Sequence, residues 1–265
     1  MVKLKIYVIS LKYSDRRKFQ INQLRSLDYE FFDGISSEQI NKEYYQANSC
    51  HWERKLKKTE FACYQSHKNL WSKVYTNNKP AIIFEDDAVI STDFKKIISG
   101  LEKLNFSDID LINFENRGRK KIISKKGIEI DSGHSLRKLF HDTTGAAAYL
   151  LTPEGAKKLI DFEESSGIAL ADAQLFRCKN FQCYQVEPAP VFQLDMANHY
   201  GFSVKSSIIK SSVSSTYRLE NNFVFRLRRI VSQLKLGLKK TYYSIFKGEN
   251  RLIKTSNNIY LPKDL

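Results

Sequence analysis

Short apolar runs alternate with segments of helical period along most of the chain. Residues 4–11, LKIYVISL, are β-branched and apolar, which predicts a buried strand. SDRRKFQINQLRSL follows, with Ser14 as a candidate helix cap and Phe19, Ile21 and Leu24 near helical spacing. YEFFDGI at 29–35 predicts a second strand ending in Asp33-Gly34, so the chain opens as strand, helix, strand, the start of a parallel α/β sheet. The clearest helix lies at 59–76, where Cys63, His67, Leu70, Trp71 and Val74 share one face. AIIF at 81–84, IDLINF at 109–114 and AAAYLL at 146–151 predict further strands. Thr152 and Pro153 predict a helix start, as N-cap and first helical residue. The polar basic stretch NRGRKKIISKKG, 116–127, predicts a mobile loop. From about residue 215 the character changes. Leu227, Ile230, Val231, Leu234 and Leu238 fall on one helical face, while Arg228, Arg229, Lys235, Lys239 and Lys240 lie largely elsewhere. That pattern predicts a basic amphipathic helix, followed by a loose polar end. The expected organisation is one α/β domain over 1–215 and a basic helical extension over 216–265.

Composition sharpens this picture in two ways. A hydrophobic fraction of 42% is enough for a packed core and excludes global disorder. The formal charge of +14 is uneven: residues 203–265 carry 13 Lys/Arg against Glu220, Glu249 and Asp264, so +10 of it sits in the extension. Such a segment suits nucleic acid, anionic lipid or an acidic polymer. Cys50, Cys63, Cys178 and Cys183 form no CxxC pair and no zinc-type spacing with histidine, which fits free thiols in a reducing compartment. With no secretory leader and no long apolar run, the expected location is inside the cell.

The strongest candidate for chemistry is Glu85-Asp86-Asp87, three acids directly after a buried strand. Ligands in parallel α/β sheets sit beyond the carboxyl ends of strands. Clustered carboxylates there call for a hard cation, Mg²⁺ or Mn²⁺, that can bridge a diphosphate; a solvated acidic turn is the alternative. In extended chain Glu85 and Asp87 share a face. His67, on the apolar face of its helix, reads either as a hydrogen-bonded core histidine or as a side chain reaching the ligand cleft. Arg16 and Arg17 open the first helix, as a solvated face or as contacts to phosphate or base. His199 is a late candidate metal ligand. Asp172, among small and apolar residues, reads as a helix cap or as a general base with a raised pKa.

Taken in order, these segments resemble glycosyltransferase family 25, the lipooligosaccharide biosynthesis glycosyltransferases. The resemblance rests on VISL with DRR (8–17), YEFFDGI (29–35), TEFACYQSH with Leu70-Trp71 (59–71), IIFEDDAVI (82–90), TTGAAAYLLTPEGAKKLI (143–160), and ADAQLF with EPAPVFQ (171–193). It implies a GT-A-like single Rossmann-type domain with a mostly parallel central sheet, a UDP-sugar donor, and inversion at the anomeric carbon. The transferred hexose is expected to be galactose, then glucose. By position it assigns Glu85-Asp86-Asp87 to the metal and diphosphate motif. Ser10, Arg17, Asp33, His67, Thr144 and Gly145 become donor-site candidates; Thr144-Gly145 stands where the family usually has Gly-Thr. Asp172 becomes base or acceptor ligand. Glu85, Asp87 and His199 are the expected ligands of Mn²⁺ or Mg²⁺, His199 on this chain's own reading and not by a motif. The acceptor implied is a lipid-linked oligosaccharide at the cytoplasmic face of the bacterial inner membrane, reached through the basic C-terminal segment, with no nucleic-acid partner. Two other readings compete: a metal-dependent nucleotidyltransferase, and a non-catalytic protein that binds nucleic acid or an anionic surface.

Overall fold

The computed structural model describes residues 2–142, 145–202 and 222–259. Its first half contains β1 (Lys5–Ser10), α1 (Arg16–Leu24), β2 (Tyr29–Asp33), α2 (Lys42–Asn48), α3 (Lys58–Asn77), β3 (Ala81–Glu85), β4 (Ala88–Ile90), α4 (Phe94–Leu101) and β5 (Leu111–Asn113). Then come β6 (Lys120–Ile123), β7 (Ile128–Glu129), β8 (Ser135–His141), β9 (Ala148–Leu151), α5 (Pro153–Ser166), α6 (Ala171–Arg177), β10 (Cys183–Glu187) and β11 (Val191–Gln193). The last elements are α7 (Phe223–Phe246) and β12 (Glu249–Leu252).

Among the described residues one sheet has the strand order β12-β6-β8-β10-β5-β9-β3-β1-β2, with β7 on β8. In its centre β2, β1, β3, β5 and β10 run the same way, and β9, between β3 and β5, runs against them. The α/β class and the mostly parallel centre are therefore as the sequence predicts. Side chains alternate between the two faces, as strand geometry requires. Tyr7, Ile9, Ile83, Tyr149 and Leu151 pack under α3 and α5, while Ile6, Val8, Ile82, Phe84 and Leu150 pack with Leu24 of α1 and Phe94 and Ile97 of α4. The result is a three-layer helix–sheet–helix core. Thr152 caps α5 as expected, its Oγ1 accepting from the Gly155 N–H at 3.1 Å.

Two expectations are corrected. The basic stretch 116–127 is not a mobile loop throughout: it contains β6, and Lys121, Ile122 and Ile123 are buried. A buried lysine needs full pairing, and Lys121 Nζ has it, at 2.6 Å from Asp142 Oδ2, 2.8 Å from Gln185 Oε1 and 2.9 Å from the Glu115 carbonyl. The polar end is not loose over 249–259. There β12 pairs antiparallel with β6, Ala189 N–H donates to the Lys254 carbonyl at 2.7 Å, and Ile253 and Ile259 are buried. The amphipathic helix forms as α7. Tyr243 stacks on Phe140 of β8 with ring centroids 5.5 Å apart, and Arg228 donates to the carbonyls of Cys50 and Trp52. Among the described residues no helix is long and apolar enough to cross a membrane.

Candidate active site

Phe84-Glu85 ends β3 at the carboxyl end of the parallel strands, where α/β folds place their ligands. Asp86 and Asp87 do not continue the strand. They form the turn into β4, so Glu85 and Asp87 do not share a face by extended geometry, and each of the three acids meets different partners. Glu85 points under α3. Its Oε1 lies 3.0 Å from His67 Nε2, and Gln193 Nε2 donates to its Oε2 at 3.2 Å. Burial works to raise the Glu85 pKa, but the hydrogen bond from His67 and the charges of Arg117 and Arg16 outweigh it and hold Glu85 below the usual range.

His67 is fully buried, so it orients Glu85 and is not open to the cleft. Trp71 Nε1–H donates to the Tyr149 hydroxyl at 2.8 Å, and that hydroxyl is 2.8 Å from His67 Nδ1. The indole can only donate, so the Tyr149 oxygen accepts from it, and Glu85 as a carboxylate can only accept, so the proton of the His67–Glu85 bond sits on Nε2. His67 then presents Nε2–H to Glu85. His67 is thus the hydrogen-bonded core histidine of the first reading; it does not reach the cleft itself, and meets the site only through Glu85.

Asp86 is taken up by the start of α1. Ser10 and Ser14 hydroxyls donate to its Oδ2 at 2.7 and 3.1 Å, and Arg16 Nη1 donates to its Oδ1 at 3.2 Å. Asp15, not Ser14, is the residue preceding α1, and Ser14 Oγ accepts from Arg16 N–H at 3.2 Å. Arg17 donates to the carbonyls of Ser10 and Leu11, pairs with Asp33, and lies 4.8 Å from the Phe31 ring centroid. Ser10, Arg17 and Asp33 are therefore brought together beyond the ends of β1 and β2. Asp87 differs from both neighbours: its Oδ1 is buried with no hydrogen-bond partner, and Arg16 Nη1 stands 3.7 Å from its Oδ2. Burial and then the charge of Glu85 raise its pKa well above the normal range. An uncompensated buried carboxylate oxygen in an acidic cluster fits a hard divalent cation.

Of the three expected metal ligands, Glu85 and Asp87 are adjacent in the turn region. His199 lies elsewhere on the rim, its ring at 5.0 Å from that of Tyr200 and its Nε2 beside Gly118. Among the described residues the group whose ligand atoms lie within 4.8 Å of one another is Cys63, His67 and Glu85. There the His67–Glu85 hydrogen bond and a Cys63 thiol pushed well up by burial describe a closed core cluster.

Sequence reasoning missed Glu115 and Arg117. Phe114-Glu115 comes directly after β5 much as Phe84-Glu85 closes β3, a repeat that could have flagged it. The Ala147 peptide, at the head of β9 between them, ties the two together: its carbonyl accepts from Glu85 N–H at 2.8 Å and its N–H donates to Glu115 Oε2 at 3.0 Å. Gly145, at φ +101°, makes room: a Cβ there would stand 2.5 Å from Glu115 Oε2. Thr144 lies outside the described residues. Glu115 is 1% exposed with Oε1 lacking a hydrogen bond, and burial pushes its pKa up to about 7. Asp172, in the first turn of α6, has its carboxyl pushed up to about 6, first by burial and further by Glu85; its Oδ1 accepts from Ala173 N–H at 2.7 Å. Asp172 thus caps nothing beyond its neighbour and keeps a pKa suited to proton transfer near neutrality.

A family model described as Glycosyltransferase family 25 (LPS biosynthesis protein) matches residues 3–174, a span that holds Glu85, Asp87, Glu115 and Asp172 but not His199 or α7. Lipooligosaccharide biosynthesis protein lic2B of Haemophilus influenzae is 31% identical over 201 residues, spanning 71% of this chain and 75% of that protein. A glycosyltransferase 25 family member of Anopheles gambiae is 27% identical over 186 residues, which is 64% of this chain and 31% of that protein. Among solved structures, A197 from STIV aligns over 70% of this chain and 84% of its own, at a TM-score of 0.37 and 9% identity, a likeness too weak to bear on function.

Proposed function

The chain belongs to glycosyltransferase family 25, and from that membership we propose that it transfers a hexose from a UDP-sugar to the oligosaccharide of a lipooligosaccharide or lipopolysaccharide, in a GT-A-type site. The family description and the name of the Haemophilus relative support the acceptor class. Galactose is the first candidate sugar and glucose the next. The observation that carries the reading is the gathering of Glu85, Asp86, Asp87 and Glu115 beyond the carboxyl ends of β3 and β5, within electrostatic reach of Asp172.

The mechanism is a single inverting displacement. Asp172 accepts the proton of the acceptor hydroxyl as its oxygen bonds to the anomeric carbon and the bond to the diphosphate oxygen breaks. Asp87, with Glu85, would hold Mn²⁺ or Mg²⁺, whose charge would neutralise the leaving diphosphate; His199 is not gathered with them. His67 fixes Glu85, and Ser10, Ser14 and Arg16 fix Asp86, so these carboxylates are set before substrate arrives. Arg17 and Asp33, paired at the ends of β1 and β2, and Gly145, against Glu115, complete the donor-binding residues of this proposal.

Attachment to an anionic membrane surface at its cytoplasmic face is part of the same proposal. In α7, Phe225 and Ser232 face the body, whereas Phe223, Leu227, Ile230, Leu234, Leu238 and Ile245 recur at helical spacing and are exposed, Leu238 by 73%. A stripe this apolar is unusual on a soluble surface. Arg226 and Lys240 flank it on one side, Lys235 and Lys239 on the other, and the helix carries no acidic residue.

The site is tested by Asp87→Ala. Transfer should fall by at least about a thousandfold, as expected when a ligand to the neutralising cation is lost, with the thermal midpoint held or raised because a poorly solvated carboxylate is removed. Turnover near wild type would refute the assignment of this turn to the donor diphosphate.

A further inference from the structure

We propose that Arg117 is a resident cation of the donor site that grips the β-phosphate of the nucleoside diphosphate as it leaves. The inference deepens the proposed function and rests on its placing of a diphosphate at this cleft. Arg117 sits just past Glu115, beyond the end of β5. Its Nη2 donates to Asp195 Oδ2 at 2.7 Å and its Nη1 is 3.7 Å from Glu115 Oε1. Its charge is felt at Glu85, Asp87 and Asp172. A guanidinium beside Glu115 and Asp195, within electrostatic reach of the carboxylates assigned to the donor and of the one assigned to the acceptor, is placed to meet charge that develops on a leaving diphosphate.

Charge makes the case stronger. Glu85, Asp86, Asp87, Glu115, Asp172 and Asp195 crowd this end of the sheet, and a diphosphate adds further negative charge. Arg16 is already committed to Asp86 and Asp87. Arg117 is held more loosely. Its hydrogen-bonded partner Asp195 is half exposed, a kind of ion pair that water weakens. Glu115 Oε1 offers it charge without a hydrogen bond. Its side chain is 24% exposed. A planar fork of N–H donors suits two phosphate oxygens at once. As the acceptor oxygen bonds to the anomeric carbon and passes its proton to Asp172, the bond from that carbon to the β-phosphate oxygen breaks, the electron pair stays on that oxygen, and Arg117, itself keeping its protons, hydrogen-bonds the charge that develops.

The experiment is calorimetry of UDP and UMP on the wild-type chain, Arg117→Met and Arg117→Lys, each with Mn²⁺ and with EDTA, alongside thermal midpoints. Loss of charge-assisted hydrogen bonds to the β-phosphate should weaken UDP by about 10- to 100-fold in the Met variant. UMP, which lacks that phosphate, should change by less than about threefold, and the Lys variant should recover part of the loss. In EDTA the wild type should keep a preference for UDP over UMP that the Met variant loses. A purely structural arginine would lower the thermal midpoint and weaken both nucleotides alike. Equal weakening, or unchanged UDP binding in the Met variant, overturns the inference and leaves the proposed function standing. No UDP binding by the wild type overturns both.

Discussion

The carboxyl end of the sheet and the outer face of α7 are opposites in charge, exposure and origin. The first collects acids that are mostly buried, drawn from β3, β5 and α6, and holds them with side-chain and backbone hydrogen bonds. The second lays apolar side chains and lysines in water along one continuous helix. Buried acids with raised pKa values store unfavourable electrostatics that a cationic or proton-donating ligand relieves. An exposed apolar stripe stores unfavourable hydration that an apolar surface relieves. The two regions therefore suit different partners, one by charge and the other by burial. The formal +14 is a sum over the whole chain and describes neither.

The contrast predicts that lesions in the two regions separate chemistry from attachment. The largest effect after loss of Asp87 is expected at Asp172. Asp172→Asn should cut kcat by about 100- to 10,000-fold, the range for a lost general base. Because its pKa is raised to about 6, the base is ionised above that pH and protonated below it. The wild-type rate should therefore rise with pH through about 6, and residual activity in the variant should lose that limb. Retention of the limb in Asp172→Asn would pass the role to Glu115, whose pKa is raised to about 7. A smaller effect is expected on the helix. Leu234→Glu with Leu238→Glu should weaken sedimentation with vesicles containing anionic lipid by tenfold or more, since two apolar insertions are lost and two negative charges added near the surface. Activity on a soluble acceptor should not change. Unaltered vesicle binding would break the comparison from the α7 side, as would self-association of the wild type that these substitutions abolish.

How much of each region was legible follows from how local its signal is. The α7 stripe recurs within one helix, so periodicity alone revealed it. The strand-to-acid junction Ile82-Ile83-Phe84-Glu85 is equally local, as is the face of α3 that buries His67. Glu115 escaped notice because its neighbours Asn113 and Asn116 are polar, and because its burial comes from Gly145 and Ala147, distant in sequence. Lys121 reads as part of a solvated charge run until Asp142, Gln185 and the Glu115 carbonyl surround it. β12 reads as polar coil because Glu249, Asn250 and Arg251 gain their order from pairing with β6, more than a hundred residues earlier. Pairing at that separation leaves no periodic trace in either strand.

The central claim is that the acidic end of the sheet is a donor site for a UDP-sugar. Its most direct test is release of UDP from a panel of UDP-hexoses by the full chain, with Mn²⁺ and with EDTA, using slow donor hydrolysis so that no acceptor is needed. The account predicts release from one hexose donor, galactose first, falling sharply in EDTA and in Asp87→Ala. Release of free phosphate or pyrophosphate in place of UDP, or no turnover and no binding of any UDP-sugar, would contradict it.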